Sequence, residues 1–145
     1  MKKLFLVLLA VVALSSIGII LSPSAQAAEG AKGTQVVAYY FHETMRCPTC
    51  YKLEQYSKEA LDTNFKDELA SGKLEFKVVN VEDKGNEHYG KDYQLYTKSL
   101  ILSLVKDGKE IKWKNMDKIW EYVGNRQRFI DYVKSGVSDF LKEAK

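Results

Sequence analysis

Two cysteines separated by two residues are the part of this chain with the clearest capacity for chemistry. Cys47 and Cys50 are the only cysteines among 145 residues, and Pro48 follows the first of them. Proline suits the first turn of a helix, and a thiolate at a helix N-terminus is stabilised by unpaired N–H groups and the helix dipole. Since the thiolate is the nucleophilic form, the pattern predicts thiol–disulfide exchange. Cys47 would attack, and the more deeply placed Cys50 would resolve the mixed disulfide.

The residues around the pair supply further expectations. Arg46 precedes Cys47, and its charge should lower the pKa of that thiol below the free value of about 8.5. Pro48 should fix the turn that holds both sulfurs on one face. Together with Thr49 it does not determine the reduction potential, because that depends on how the fold stabilises the thiolate.

Three other uses of the same cysteines compete with redox chemistry. A structural disulfide would close a loop so short that it stabilises by only about 2 kcal/mol. Zinc needs four ligands, and the spacing of His42, Cys47, Cys50 and His88 matches no usual zinc site. Copper(I) is the more serious alternative, because two thiolates with Met45 or a histidine make a soft site. The leading interpretation requires neither a resident metal nor an organic cofactor.

Composition and charge exclude several function classes. The chain has 46% apolar and 28% charged residues, as ordinary globular domains do. Its net charge is +3, whereas nucleic-acid binding requires a basic patch and a domain pI above about 9. We therefore expect no nucleic-acid partner.

The N-terminal segment has the pattern of a secretory signal peptide. Lys2 and Lys3 give a positive start, residues 4–21 carry no charge, and Ala25 and Ala27 form a small-x-small cleavage site. The uncharged run would also just span a bilayer core. Export is expected in both cases, with cleavage after Ala27 as the leading prediction and a retained anchor as the alternative.

Cleavage would divide the chain into three parts. Residues 1–27 would be the signal peptide, residues 28–34 a flexible lead, and residues 35–145 one folded domain. The mature chain would lose two lysines and no acidic residue, which leaves a net charge of +1. It would contain no membrane span, and its 118 residues suffice for a hydrophobic core that needs no stabilising metal or disulfide.

The pattern of the mature domain predicts an α/β fold with the element order β-α-β-α-β-β-α. Two strands joined by a helix favour a right-handed parallel crossover, and Asp107-Gly108 between apolar runs indicates a hairpin. The result is a mixed four-stranded sheet with helices on both faces. Strands are expected at 35–41, 74–81, 100–105 and 110–113, and helices from Pro48 to Gly72, over 86–96 and after Gly124-Asn125.

In element order and in its CPTC motif, Cys47–Cys50, the mature chain resembles the thioredoxin superfamily. The stretch from Tyr40 to Tyr51 is similar to exported thioredoxin-fold proteins of the nitrophenyl-compound nitroreductase subunit (ArsF) family. The resemblance implies attack by Cys47 and resolution by Cys50. It also implies a redox subunit that exchanges electrons with a protein dithiol or disulfide, beside a membrane electron-relay or transporter protein.

The sequence departs from the superfamily at two positions. The proline that precedes the third core strand of thioredoxins is replaced by Ser99 or Leu100. A non-proline cis bond costs about 3 kcal/mol or more, so a trans peptide and a remodelled groove are predicted. The buried acid of thioredoxins has no counterpart on the first strand, and His42 and Glu43 are the candidate proton acceptors.

Other residues are assigned roles in packing or exposure. Tyr51 is the tyrosine most suited to partner contact, because it follows the dithiol. His88 is expected to be exposed on a polar helix. Four of the other eight tyrosines have the spacing of core residues: Tyr39, Tyr56, Tyr93 and Tyr132.

Overall fold

The computed structural model of the chain describes residues 33–144. The predicted signal peptide and nearly all of the predicted lead lie outside the described residues. Within the described range, no helix is long and apolar enough to cross a membrane.

One mixed sheet of four strands organises the domain. Its strand order is β2-β1-β3-β4. The pairing of β1 with β2 is parallel, and β3 is antiparallel to both β1 and β4. The strands span Thr34–His42 (β1), Leu74–Asn80 (β2), Ser99–Lys106 (β3) and Lys109–Asn115 (β4).

Helices cover both faces of this sheet. The long helices α1 and α5 share one hydrophobic core with one face, and the short α3 lies over part of the other face. This arrangement confirms the predicted α/β class and thioredoxin-like fold, including the parallel crossover. The helices span Pro48–Asn64 (α1), Lys66–Ala70 (α2), His88–Asp92 (α3), Ile119–Tyr122 (α4) and Arg126–Glu143 (α5).

The central strand β1 is buried on both faces, as its apolar sequence predicts. Alternate side chains of a strand point to opposite faces. Val36, Ala38 and Tyr40 therefore join the core under α1 and α5, while Phe41 joins the smaller cluster under α3, with Tyr39 packed against it. Burial on both sides fixes the end of β1, and this end carries the loop that leads to the cysteines.

The strand register brings three chain segments to one edge of the sheet. His42 at the end of β1 pairs with Asn80 at the end of β2. Phe41 pairs with Ser99 at the start of β3. The residues before α1, the loop after β2 and the loop before β3 therefore meet beside the dithiol.

The helix predicted from Pro48 to Gly72 is divided in two. Phe65 has φ −136° and ψ 39°, which ends α1 before α2 begins. The side chain of Phe65 is buried in the main core. Gly72 has φ +73°, a conformation that favours glycine.

A helix is present within the predicted helical stretch 86–96, but it is shorter than predicted, because only the five residues of α3 are helical. Gln94 has φ +50°, which turns the chain out of the helix. Tyr93 is buried, whereas Tyr96 is 92% exposed, so these two tyrosines do not share a packed face. Helix α4 was not anticipated. The Asp107-Gly108 hairpin is confirmed, because both residues have positive φ as a type I′ turn requires.

Gly136 of α5 allows a close approach between that helix and the sheet. A Cβ at this position would lie 2.8 Å from Sδ of Met116 and 3.3 Å from a methyl carbon of Leu102. Met116 and Leu102 are both fully buried. A side chain at position 136 would therefore force their buried ends to shift, which favours glycine here although glycine weakens the helix intrinsically.

Gly136→Val should lower the free energy of unfolding by about 1–3 kcal/mol, because an overpacked core is destabilising. Urea denaturation measures this change. Ser135→Val is the matched control: Ser135 is exposed on the same helix, so this substitution should change stability by less than about 0.5 kcal/mol. Equal losses in both variants would contradict the packing role of Gly136.

Candidate active site

The two cysteines form the N-terminal cap of α1. Cys47 is the cap residue, with φ −88° and ψ 163°, and Pro48 occupies the first helical position. The sulfur of Cys47 accepts a hydrogen bond from the Cys50 N–H, and the sulfur of Cys50 accepts one from the Cys47 N–H, both at 3.1 Å. The cysteines are joined by a disulfide, with their Cα atoms 5.0 Å apart. Two N–H groups at the start of the helix are thereby satisfied by sulfur.

The two sulfurs differ in accessibility. Cys47 is exposed, whereas Cys50 is only 2% exposed. A partner can therefore reach Cys47 directly, while Cys50 is placed to act only from inside the protein. This asymmetry agrees with attack by Cys47 and resolution by Cys50, and the pair supports a thiol–disulfide redox function.

The helix end also favours negative charge on Cys47. Helix α1 has 17 residues, and its first turn contains no acidic side chain. The aligned peptide dipoles give its N-terminus a partial positive charge. A thiolate at the cap position would meet this charge together with the Cys50 N–H.

Tyr40 is the inward residue of β1 that contacts the dithiol turn. It is fully buried, and its hydroxyl donates a hydrogen bond of 2.7 Å to the carbonyl oxygen of Cys50. Burial raises the pKa of Tyr40 to about 12, against a partly opposing effect of Arg46. The hydroxyl therefore stays protonated and acts as a donor, not as an acceptor for the proton of Cys50.

This role of Tyr40 was not predicted from the sequence. The signal was present in the alternation of β1, which puts Tyr40 on the same face as Val36 and Ala38. A buried tyrosine usually requires a hydrogen-bond partner for its hydroxyl. The chain offers one in the first turn of α1.

Arg46 is held by neighbours other than the cysteines. Its guanidinium forms an ion pair with Glu54 and lies over the ring of Tyr51, 4.3 Å from the ring centroid. The ring of Tyr40 is 5.9 Å away. Among the hydrogen bonds of the described residues, none joins Arg46 to either sulfur. The predicted effect of Arg46 on Cys47 is therefore opposed by a carboxylate.

The loop before the cysteines is tied to the end of β2. The Thr44 N–H donates to the Glu82 carboxylate at 2.9 Å, and the Asn80 side chain donates to the Thr44 hydroxyl at 3.0 Å. Hydrogen bonds from Thr44 hold the pKa of Glu82 below its usual value. Nearby, Glu43 forms an ion pair with Lys98. These contacts fix the approach of the chain to Cys47.

The other predicted site residues lie at the same edge of the sheet but do not bond to sulfur. Nδ1 of His42 is 2.8 Å from the Glu43 carbonyl oxygen. Ser99 is buried, and its hydroxyl donates to the Thr97 carbonyl oxygen at 2.9 Å. Thr49 is partly buried in the first turn of α1. All described peptide bonds are trans, including those beside Ser99 and Leu100.

The ligands of a metal ion would have to come together within the described part of the chain, residues 33–144. No group of three or more His, Cys, Asp or Glu side chains there could hold a metal ion. Met45, which together with a histidine was a candidate for the third copper ligand, is 85% exposed. His88 is exposed as predicted, and its Nδ1 lies 2.7 Å from an Asp92 carboxylate oxygen.

Comparison with known proteins finds similarity to solved thioredoxin structures. No protein family and no curated protein matches the chain. Thioredoxin from Fasciola hepatica has 16% identity and a TM-score of 0.43, covering 79% of this chain and 84% of its own. A thioredoxin mutant from Entamoeba histolytica has 19% identity and a TM-score of 0.41, covering 73% and 84%. Thioredoxin f2 from Chlamydomonas reinhardtii has 17% identity and a TM-score of 0.35, covering 68% and 85%. With TM-scores this low, the fold is assigned from the chain's own strand order and helix packing.

Tyr40→Phe should destabilise the oxidised protein by about 1 kcal/mol, because it removes a buried hydrogen bond to the Cys50 carbonyl. Urea denaturation at neutral pH measures the loss. Tyr56→Phe is the control: the Tyr56 ring packs edge-on against Phe129, and none of the hydrogen bonds of the described residues involves its hydroxyl. Its stability should stay within about 0.5 kcal/mol of wild type. A similar loss of unfolding free energy in both variants would contradict the stabilising role of the Tyr40 hydroxyl.

Stability should also fall in alkaline solution, partly because of Tyr40. Its pKa is 10.0 in the unfolded chain and about 12 in the folded protein. Between these two pKa values the unfolded state releases a proton that the folded state keeps. The contribution of Tyr40 to the free energy of unfolding is therefore fully present below pH 10 and is lost as the pH rises toward 12. Unfolding followed by circular dichroism across this window should show a shallower decline for Tyr40→Phe than for wild type. Identical slopes would contradict the contribution of Tyr40.

Proposed function

We propose that this protein is an exported thiol–disulfide oxidoreductase that exchanges a Cys47–Cys50 dithiol with the disulfide of a protein partner. The observation that carries the proposal is an exposed cysteine and a buried cysteine joined at the N-terminus of α1. A purely structural disulfide would add little stability to this domain, because it closes so short a loop. Export is supported by the signal-peptide pattern of residues 1–27.

The exchange proceeds in two balanced steps. The Cys47 thiolate attacks one sulfur of the partner disulfide, and the other partner sulfur leaves as a thiolate. Cys50 then loses its proton, with His42 and Glu43 as the candidate acceptors, and its thiolate attacks the Cys47 sulfur. The bond between Cys47 and the partner breaks, and the second partner sulfur leaves as a thiolate. Two electrons pass to the partner, and the protein regains its own disulfide.

The same steps in reverse make the protein an oxidant. An exported chain with two cysteines tends toward the disulfide, since extracytoplasmic compartments are oxidising. Work as a reductant therefore requires a two-electron donor, for which a membrane electron-relay or transporter protein is the proposed source. A potential near −270 mV suits a reductant and one near −120 mV an oxidant.

The surface around Cys47 supports a protein as the partner. Met45 and Tyr51, which flank the dithiol, are 85% and 56% exposed. Trp120 is also exposed, and its indole N–H bonds to the Lys98 carbonyl oxygen in the loop before β3. Exposed aromatic and methionine side chains are typical of protein contact surfaces.

Cys50→Ser should trap a partner on Cys47, because no resolving thiol remains to release it. The variant is expressed with its signal peptide in its own cells, and adducts are separated without reductant. We expect at least one protein adduct of Cys47 that dithiothreitol releases by reducing the mixed disulfide. Cys47→Ser is the matched control and should trap far less, because Cys50 is buried.

Copper(I) binding is the competing outcome of the same experiment. If Cys50→Ser forms no adduct while the wild-type dithiol binds copper(I) stoichiometrically, the redox proposal fails in favour of a metallochaperone. If the disulfide cannot be reduced or exchanged at all, the bridge is structural.

A further inference from the structure

The ion pair between Arg46 and Glu54 lies next to the dithiol and is more enclosed than the other ion pairs of the described residues. The side chains of Arg46 and Glu54 are 13% and 29% exposed. Pairs on the open surface, such as Lys58 with Asp62, have side chains more than half exposed. Enclosed charges are screened less by solvent, so this pair should matter more to its neighbours.

The helix places Glu54 where it can control Arg46. Glu54 lies four residues after Cys50 and seven after Cys47, and residues with this spacing share one side of a helix. Its carboxylate thereby reaches Arg46, which stands just before the cap. The ring of Tyr51 covers the guanidinium at 4.3 Å.

The guanidinium retains donor capacity beyond this pair. Nε of Arg46 is buried and has no hydrogen-bond partner among the described residues. A cation with an unused donor, one residue before a cysteine, would gain from contact with a thiolate. The carboxylate of Glu54 competes with that thiolate for the same side chain.

Other charged groups at this edge of the sheet already have partners. Glu43 is paired with Lys98, and Glu82 accepts a hydrogen bond from the Thr44 N–H. Arg46 directly precedes the exposed cysteine, so its pairing with Glu54 bears on the charge beside the dithiol.

We propose that Glu54 is a positioning residue that holds the Arg46 guanidinium against Tyr51, withholds it from the Cys47 thiolate, and so limits how oxidising the dithiol is. The inference rests on the proposed redox function and assigns a control element to its site. Freeing Arg46 would stabilise the thiolate of the reduced form. A more stable reduced form makes the disulfide a stronger oxidant.

Glu54→Gln tests the inference through two properties of the purified protein. The rate of alkylation of Cys47 by iodoacetamide, followed against pH, reports thiolate formation, and equilibration with glutathione reports the balance of dithiol and disulfide. We expect alkylation at mildly acidic pH to rise about threefold, and the glutathione equilibrium to shift about threefold toward the dithiol, as a partly exposed ion pair permits. Arg46→Gln should shift both properties in the opposite direction.

Glu59→Gln is the matched control. Glu59 lies on the same helix and pairs with Arg126 of α5, away from the cysteines. Its substitution removes the same charge and should leave both properties near wild type. A circular dichroism spectrum of each variant checks that α1 remains folded.

A double substitution separates positioning from direct charge. Glu54 also repels a thiolate through its own charge, and that effect should be equal with or without Arg46. If Glu54 acts by holding Arg46, Glu54→Gln should change alkylation much less in an Arg46→Gln background. An equal change in both backgrounds, or none in either, would overturn the inference. If wild-type Cys47 shows no thiol reactivity, it is the proposed function that fails instead.

Discussion

The reciprocal cap between Cys47 and Cys50 is the interaction on which the rest of the site depends. Each sulfur accepts a hydrogen bond from the backbone N–H of the other cysteine, so the cysteines themselves cap the N-terminus of α1. Pro48 lacks an N–H and needs no partner. The reactive atoms are therefore structural atoms, and the sheet edge, the loop contacts and Tyr40 all serve to hold this first turn in place.

Much of the fold was predictable because local patterns and tertiary packing agree. The apolar run of β1 predicts a strand buried on both faces, and Asp107-Gly108 predicts the hairpin between β3 and β4. Cys-x-x-Cys with Pro48 predicts a helix N-terminus after that strand. These signals are short-range, and the burial observed in the structure reinforces each of them.

The parts that sequence reasoning missed depend on partners distant in the chain. The hydroxyl of Tyr40 donates to the carbonyl oxygen of Cys50, ten residues away. Only the tertiary fold brings these two groups together. The charge of Arg46 was predicted to act on its neighbour Cys47, but two turns of α1 place Glu54 within reach of Arg46. The short α3 ends at Asp92, and Gln94 soon after it has a positive φ, which is rare for a non-glycine residue and leaves no pattern in the sequence.

The use of sulfur as a helix cap would link partner release, in the proposed exchange, to the geometry of the helix end. In the proposed mixed disulfide, Cys47 would be bonded to the partner and not to Cys50. Closing the internal disulfide would return both sulfurs to the positions in which they cap α1. The two capping hydrogen bonds of the oxidised protein would therefore favour departure of the partner.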